Sequence, residues 1–206
     1  MVASIELEQS KDLINQLLDK IYTKSNLTQY TIDIDLVKTA LEYIKEYHKH
    51  QRRHSGEPYY HHPIEVANIV IDYSFTNESI LGALLHDTVE DTKFSLSQIK
   101  LLFGPRVASI VNDLTKLDNK LHKIKLSSEE NSYKLTQINE ENKISLLIKL
   151  IDRLHNMRTI SHIKSIAKQK RIASETLKAF VPLAKYLGIH EIENELKVLS
   201  MSTLNF

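Results

Sequence analysis

Glycine and proline are scarce in this chain. Each occurs four times in 206 residues, where ordinary usage of roughly 7% and 5% would give about three times as many. A β-rich chain turns often and places these residues at its turns. A chain this poor in them is expected to be helical. The few present are clustered: Gly56, Pro58 and Pro63 all fall between Gln51 and Pro63, which marks a loop. That loop also carries Arg52, Arg53, His54, His61 and His62, and loops held by rigid elements are where function concentrates.

Apolar spacing supports helices on either side. Ile5, Leu7, Leu13, Ile14, Leu17, Leu18 and Ile21 recur mostly at helical intervals, and a polar break is expected from Thr23 to Tyr30. Asp33 or Asp35 is placed to cap a second helix running to about His50. Pro63 suits the first turn of a third, where its missing N–H costs nothing. The spacing predicts further helices over Glu78–Val89, from Ser95 to Leu102, over Ile144–Ile160, over Ile172–Leu187 and over His190–Leu199, with Phe103-Gly104-Pro105 as a turn. Residues Asp118 to Gln137 are mostly polar and read as a loop or weak helix. No alternating run sustains a strand, and no repeat or linker divides the chain. The expected architecture is all-α, one compact domain over residues 1–206, with roughly ten helices of ordinary length.

Composition narrows the function. Lys and Arg total 27 and Asp and Glu 26, so no net field marks a nucleic-acid or membrane binder. No apolar run approaches the ~18 residues of a membrane span, and the N-terminus lacks the basic-then-apolar order of a signal peptide. A cytoplasmic protein with neither nucleic-acid nor membrane partners is expected. The absence of cysteine excludes disulfides and thiolate zinc sites. Any metal must be held by His, Asp and Glu.

Three groups of residues can carry chemistry. His86, Asp87, Glu90 and Asp91 stand together, and on a helix His86/Glu90 and Asp87/Asp91 are i,i+4 neighbours. They follow directly after the apolar pair Leu84-Leu85, where a bound cation would offset the cost of drawing polar groups inward. Taken alone, the segment also describes a solvated acidic helix end. Asp152, Asn156 and Thr159 share one helix face, although Lys149, Asp152, Arg153 and Asn156 equally describe a water-facing stripe. His61 and His62 stand at a loop-to-helix junction, where either a cleft ligand or two exposed loop histidines is consistent.

A His, then a His-Asp doublet, then a distant Asp in an all-helical chain resembles the HD superfamily of metal-dependent phosphohydrolases. Longer motifs are more specific. Ser55-Gly56-Glu57-Pro58-Tyr59 with His62-Pro63 resembles the S-G-E-P-Y-x-x-H-P of the RelA/SpoT alarmone hydrolases. Leu84-Leu85-His86-Asp87 with Glu90-Asp91-Thr92 is similar to their L-L-H-D-V-V-E-D-T. Lys149-Leu150 with Asp152 through Thr159 is similar to K-L-A-D-R-L-H-N-M-R-T, with Ile151 in place of Ala. Phe103-Gly104, Thr115-Lys116-Leu117 and Pro182-Leu183-Ala184 match further blocks in family order, over about Tyr43 to Leu199.

This resemblance implies a helical domain around one metal cleft and hydrolysis of guanosine 3′,5′-bis(diphosphate) or its pentaphosphate analogue to GDP or GTP and pyrophosphate. It implies Mn²⁺ as cofactor, with His62, His86, Asp87 and Asp152 as ligands. Glu90 would orient or deprotonate the water, with Asp91 assisting. Arg53 would stack on guanine, and Ser55, Asn156 and Thr159 would contact the nucleotide. Lys116 and Arg158 are candidate cations for the pyrophosphate. Replacing Asp152 by Asn is expected to abolish hydrolysis with little loss of fold. The other functions consistent with these motifs are an HD phosphohydrolase acting on another phosphorylated nucleotide and a non-catalytic nucleotide-binding remnant.

Departures from the family pattern are His54 where Lys is usual, and Tyr133, Asn142 and Ile144 at positions usually basic, acidic and basic. The chain stops at Phe206, just past the junction where longer relatives continue into a synthetase domain. If the sequence is complete, a stand-alone hydrolase domain without synthetase or regulatory domains, or a remnant of a longer gene, is expected; a piece cut from a longer protein fits the ending equally.

Overall fold

Helices account for the architecture of the computed structural model, which describes residues 2–28, 30–123 and 142–205. Among the described residues the extended pairing is one isolated antiparallel bridge, Arg52 to Pro58. The backbone divides into two compact units, Met1–Thr115 and Lys116–Phe206.

In the first unit, α1 (Val2–Leu27) continues through the expected break at Thr23. The cause is a contact that periodicity does not report. Lys20 Nζ reaches the Asn68 carbonyl and Asp72 Oδ2, each at 2.7 Å, and Lys24 Nζ takes the Ile71 carbonyl at 2.5 Å. These acceptors lie towards the C-terminal end of α3 (His61–Tyr73), where a cation is favourable. The polar end of α1 is thereby tied down as helix.

Asp33 caps α2 (Ile34–Tyr47), accepting from the Leu36 N–H at 3.0 Å. Val37, Ala40, Leu41 and Ile44 form its buried stripe. A capping box opens α4 (Asn77–Leu85): Thr76 Oγ1 accepts from the Ser79 N–H and Ser79 Oγ accepts from the Thr76 N–H. Residues 79–85 are all buried, as expected of a helix that is apolar all round. It packs on α3 and α2, and α3 packs on α1. Short α5 (Thr88–Asp91) follows, then α6 (Leu96–Lys123), which is interrupted at Gly104. There φ is 89°, and Pro105 restarts the helix, as the turn at these residues predicts. Helix α6 runs into the expected polar segment as far as Lys123; residues 124–141, with Tyr133, lie outside the described residues.

The second unit holds α7 (Lys143–Arg158), a 3₁₀ turn (Ile160–His162) and α8 (Ile166–Glu175). A π-helical stretch (Thr176–Phe180) leads into α9 (Val181–Tyr186). Helical structure thus begins six residues before the expected Ile172, capped by Ser165 Oγ accepting from the Lys168 N–H at 3.3 Å. The widened turn has a local reason. Pro182 lacks an N–H and crowds the preceding turn, and just before it the Val181 N–H bonds to the Thr176 carbonyl, one residue further back than in an α-helix. Helix α10 (His190–Asn205) packs against α7, α8 and α9.

Candidate metal centre

The loop between α2 and α3 folds back on itself. The Arg53 N–H donates to the Glu57 carbonyl (3.0 Å), the Gly56 N–H to the Arg53 carbonyl (2.9 Å) and the Tyr59 N–H to the Gln51 carbonyl (3.1 Å). Gly56 has φ of 94°, a conformation that a side chain would strain. The His62 N–H then bonds to the Tyr59 carbonyl at 3.0 Å, so α3 starts within the loop and Pro63 lies in its first turn.

The two histidines at that junction are both buried and diverge. His61 Nε2 lies 2.8 Å from Ser10 Oγ of α1. Burial holds its pKa below the ordinary imidazole value. His62 Nε2 instead lies 3.7 Å from Asp87 Oδ2. Of the two, His62 joins the acidic cluster and His61 is a packing residue.

Helix α4 ends at Leu85, four residues before the expected Val89. Side chains take its terminal carbonyls: His86 Nδ1 bonds to Ala83 O at 2.8 Å and Thr88 Oγ1 to Leu85 O at 2.7 Å. The bend remains nearly helical, and the Asp91 N–H still bonds to the Asp87 carbonyl at 3.0 Å. The expected Asp87/Asp91 neighbourhood therefore survives the break.

His62, His86 and Asp87 each offer a ligand atom, all within 4.8 Å of one another. A carbonyl only accepts, so His86 Nδ1 carries a proton where it meets Ala83 O. In the neutral ring this leaves the lone pair on Nε2, the atom 3.1 Å from Asp87 Oδ1. A lone pair facing a carboxylate oxygen is the arrangement a cation satisfies. Two imidazoles and a carboxylate suit Mn²⁺, Fe²⁺ or Zn²⁺. The residues present fit a divalent cation.

Tyr59, which sequence reasoning left without a role, lies beside this group. Its hydroxyl is 2.7 Å from Asp87 Oδ2 and 3.0 Å from Asp91 Oδ2. Burial, then the charge of Asp87, pushes the phenol pKa well up, so it remains a donor. Partial desolvation, then the charge of Asp87, also raises Asp91 above the ordinary carboxylate value, although the residue as a whole is exposed. His48 is 1% exposed, stacks on the Tyr59 ring at 4.9 Å and bonds to Gln51 Oε1 at 2.6 Å. Tyr59 lies inside the S-G-E-P-Y motif, three residues before His62, so a signal was there to find.

The remaining candidates are placed as follows. Glu90 and Asp91 are both exposed, on α5. The Arg53 guanidinium lies 6.0 Å from the Tyr59 ring centroid. Ser55 Oγ donates to Glu57 Oε1 at 2.9 Å. Asp152 belongs to the second unit and is 7% exposed, which rejects the water-facing stripe. It accepts from Asn156 Nδ2 at 2.6 Å and from Lys149 Nζ at 3.2 Å. Thr159 is the C-cap of α7, its hydroxyl donating to the His155 carbonyl at 3.1 Å. Arg158 is engaged by Glu195, and Lys116 is exposed.

Residues 40–190 match the family model described as an HD domain. A GTP pyrophosphokinase of Myxococcus xanthus is 44% identical over 172 residues, 82% of this chain. A guanosine-3′,5′-bis(diphosphate) 3′-pyrophosphohydrolase of Aquifex aeolicus is 41% identical over 173 residues, 83% of this chain. The matches span 23% and 24% of those relatives' own lengths. Among solved structures, one described as a metazoan ortholog of SpoT that hydrolyzes ppGpp and plays a role in starvation responses has a TM-score of 0.62 and 24% identity. It covers 84% of this chain and 97% of its own, a likeness of fold.

Proposed function

The chain belongs to the HD domain family, and from that premise we propose that it hydrolyses guanosine 3′,5′-bis(diphosphate) or its pentaphosphate analogue at the 3′-diphosphate, with Mn²⁺ as cofactor. The observation that carries this is the His62–His86–Asp87 group, with His86 Nε2 left as a lone pair by the bond from Nδ1 to Ala83. The name of the Aquifex aeolicus relative supplies the substrate class.

His62, His86 and Asp87 would hold the cation, and Asp152 is assigned as a further ligand on the motif resemblance alone. Bound there, the cation would supply a Lewis acid that makes phosphorus more electrophilic and water more acidic. Glu90 orients the attacking water and accepts its proton, and Asp91 assists. The water oxygen forms a bond to the 3′-phosphorus as the bond from that phosphorus to O3′ breaks. O3′ takes up a proton, so one water is consumed and the products are GDP, or GTP, and pyrophosphate. Arg53 offers a planar cation for guanine, while Ser55, Asn156 and Thr159 offer hydrogen bonds to the nucleotide.

Product analysis of purified protein with the tetraphosphate, with and without Mn²⁺, tests this directly. GDP plus pyrophosphate only with Mn²⁺ is expected. Absence of product with Mn²⁺ demonstrably bound would overturn the substrate assignment. Turnover of a different 3′- or 2′-phosphorylated nucleotide in the same assay would then identify another HD phosphohydrolase.

A further inference from the structure

We propose that Tyr59 is a positioning residue that fixes the rotation of the Asp87 carboxylate toward the cation site and ties Asp91 to it. This rests on the metal-centre assignment above and deepens it. Tyr59 Oη meets Asp87 Oδ2 and Asp91 Oδ2 at 2.7 and 3.0 Å. One hydroxyl thus serves two carboxylates, one the proposed ligand Asp87 and the other Asp91, the proposed helper of Glu90. With Oδ2 held by the phenol, Oδ1 is the oxygen left facing His86 Nε2 at 3.1 Å.

The ring that carries this hydroxyl is held on several sides. His48 stacks on it at 4.9 Å with an interplanar angle of 24°. His62 meets it edge-on at 6.1 Å, and the Arg53 guanidinium lies 6.0 Å from its centroid. Gln51 closes the arrangement, taking His48 Nδ1 at 2.6 Å and donating to the Asp91 carbonyl at 2.8 Å. The same ring therefore touches a cation ligand, the proposed guanine-stacking arginine and, through its hydroxyl, both carboxylates.

Phenylalanine would preserve every ring contact and remove only the hydroxyl. Losing that donor leaves Asp87 Oδ2 more basic, which favours a cation. It also leaves two carboxylates facing each other across the place of the hydroxyl, so Asp87 turns away from its productive rotation. Outer partners of metal ligands typically matter by 10- to 100-fold in affinity or activity, and loss of orientation is expected to dominate.

The test is calorimetric titration of Mn²⁺ into metal-stripped wild type and Tyr59→Phe, with thermal melting of both apo proteins as a control on packing. Mn²⁺ affinity is expected to fall by about 10-fold or more in Tyr59→Phe, with the nucleotide KM little changed and kcat reduced. Equal Mn²⁺ affinity in the two proteins would overturn the positioning role and leave the metal centre standing. Absence of Mn²⁺ binding by wild type would remove the metal centre and this role with it. A fall in affinity matched by collapse of the apo melting transition would assign Tyr59 to packing and overturn the role.

Discussion

The guanidinium of Arg158 grips both carboxylate oxygens of Glu195, with Nε 2.7 Å from Oε1 and a terminal nitrogen 2.9 Å from Oε2. The pair fastens the end of α7 to α10 within the second unit. Arg158, a candidate for the pyrophosphate on sequence grounds, is held here by its own chain.

This fork has a pH signature. Hydrogen bonds from Arg158 hold the Glu195 carboxyl below its ordinary value of 4.5, with burial opposing. Its stabilisation is therefore complete above that unfolded value and is lost as pH falls through the lower folded one. Both side chains are partly exposed, at 43% and 38%, so the effect is small. Melting of wild type and Glu195→Gln should differ at pH 7 and draw together as pH falls through the lowered folded value. A difference that stays the same across the whole acid titration would contradict the pair's role.

Asp152 has two partners on its own helix, Lys149 and Asn156. Replacing it by Asn is expected to abolish Mn²⁺-dependent hydrolysis, but not to leave the fold untouched. The substitution removes the carboxylate facing Lys149, itself 8% exposed, and stripping one partner from a buried pair costs about 3–5 kcal/mol. Lys149→Met added to Asp152→Asn should recover much of the denaturant stability while hydrolysis stays absent. If the double variant regains hydrolysis, Asp152 is not a ligand.

Ser10 joins α1 to the start of α3. Its hydroxyl, 1% exposed, sits 2.8 Å from both Tyr60 Oη and His61 Nε2 and donates to the Glu6 carbonyl at 2.7 Å. Ser10→Ala should cost about 1–3 kcal/mol through the buried partners it leaves, read from the urea midpoint. Mn²⁺ affinity should stay the same, since His62 rather than His61 joins the metal group. Weakened Mn²⁺ binding in this variant would show that the clip reaches the ligands.

The loop from Gln51 and the Asp33 cap were legible because their causes are local: clustered Gly and Pro, and a short acceptor before an apolar stripe. His62, His86 and Asp87 were legible as motif members, and the structure gathers them. The end of α4 was not. Apolar spacing runs on past Leu85, whereas the helix stops where His86 and Thr88 turn their side chains back onto its carbonyls. The extension of α1 depends on Lys20 and Lys24 meeting α3, partners roughly fifty residues away in sequence. His48 offered no pattern because its meaning lies in a stack on Tyr59 that only the fold creates.

The gathering of His62, His86 and Asp87 on the packed pair α3 and α4 has a consequence for how the molecule comes to exist. The three lie within 26 consecutive residues, and closing so short a segment costs little chain entropy. Contacts of low sequence separation form fast, and domains generally form from the N-terminus as synthesis proceeds. These three residues emerge from the ribosome well before α7 is made. A cation held by them as proposed would thus find its first three ligands on the nascent chain, and its binding would couple to the folding of that segment.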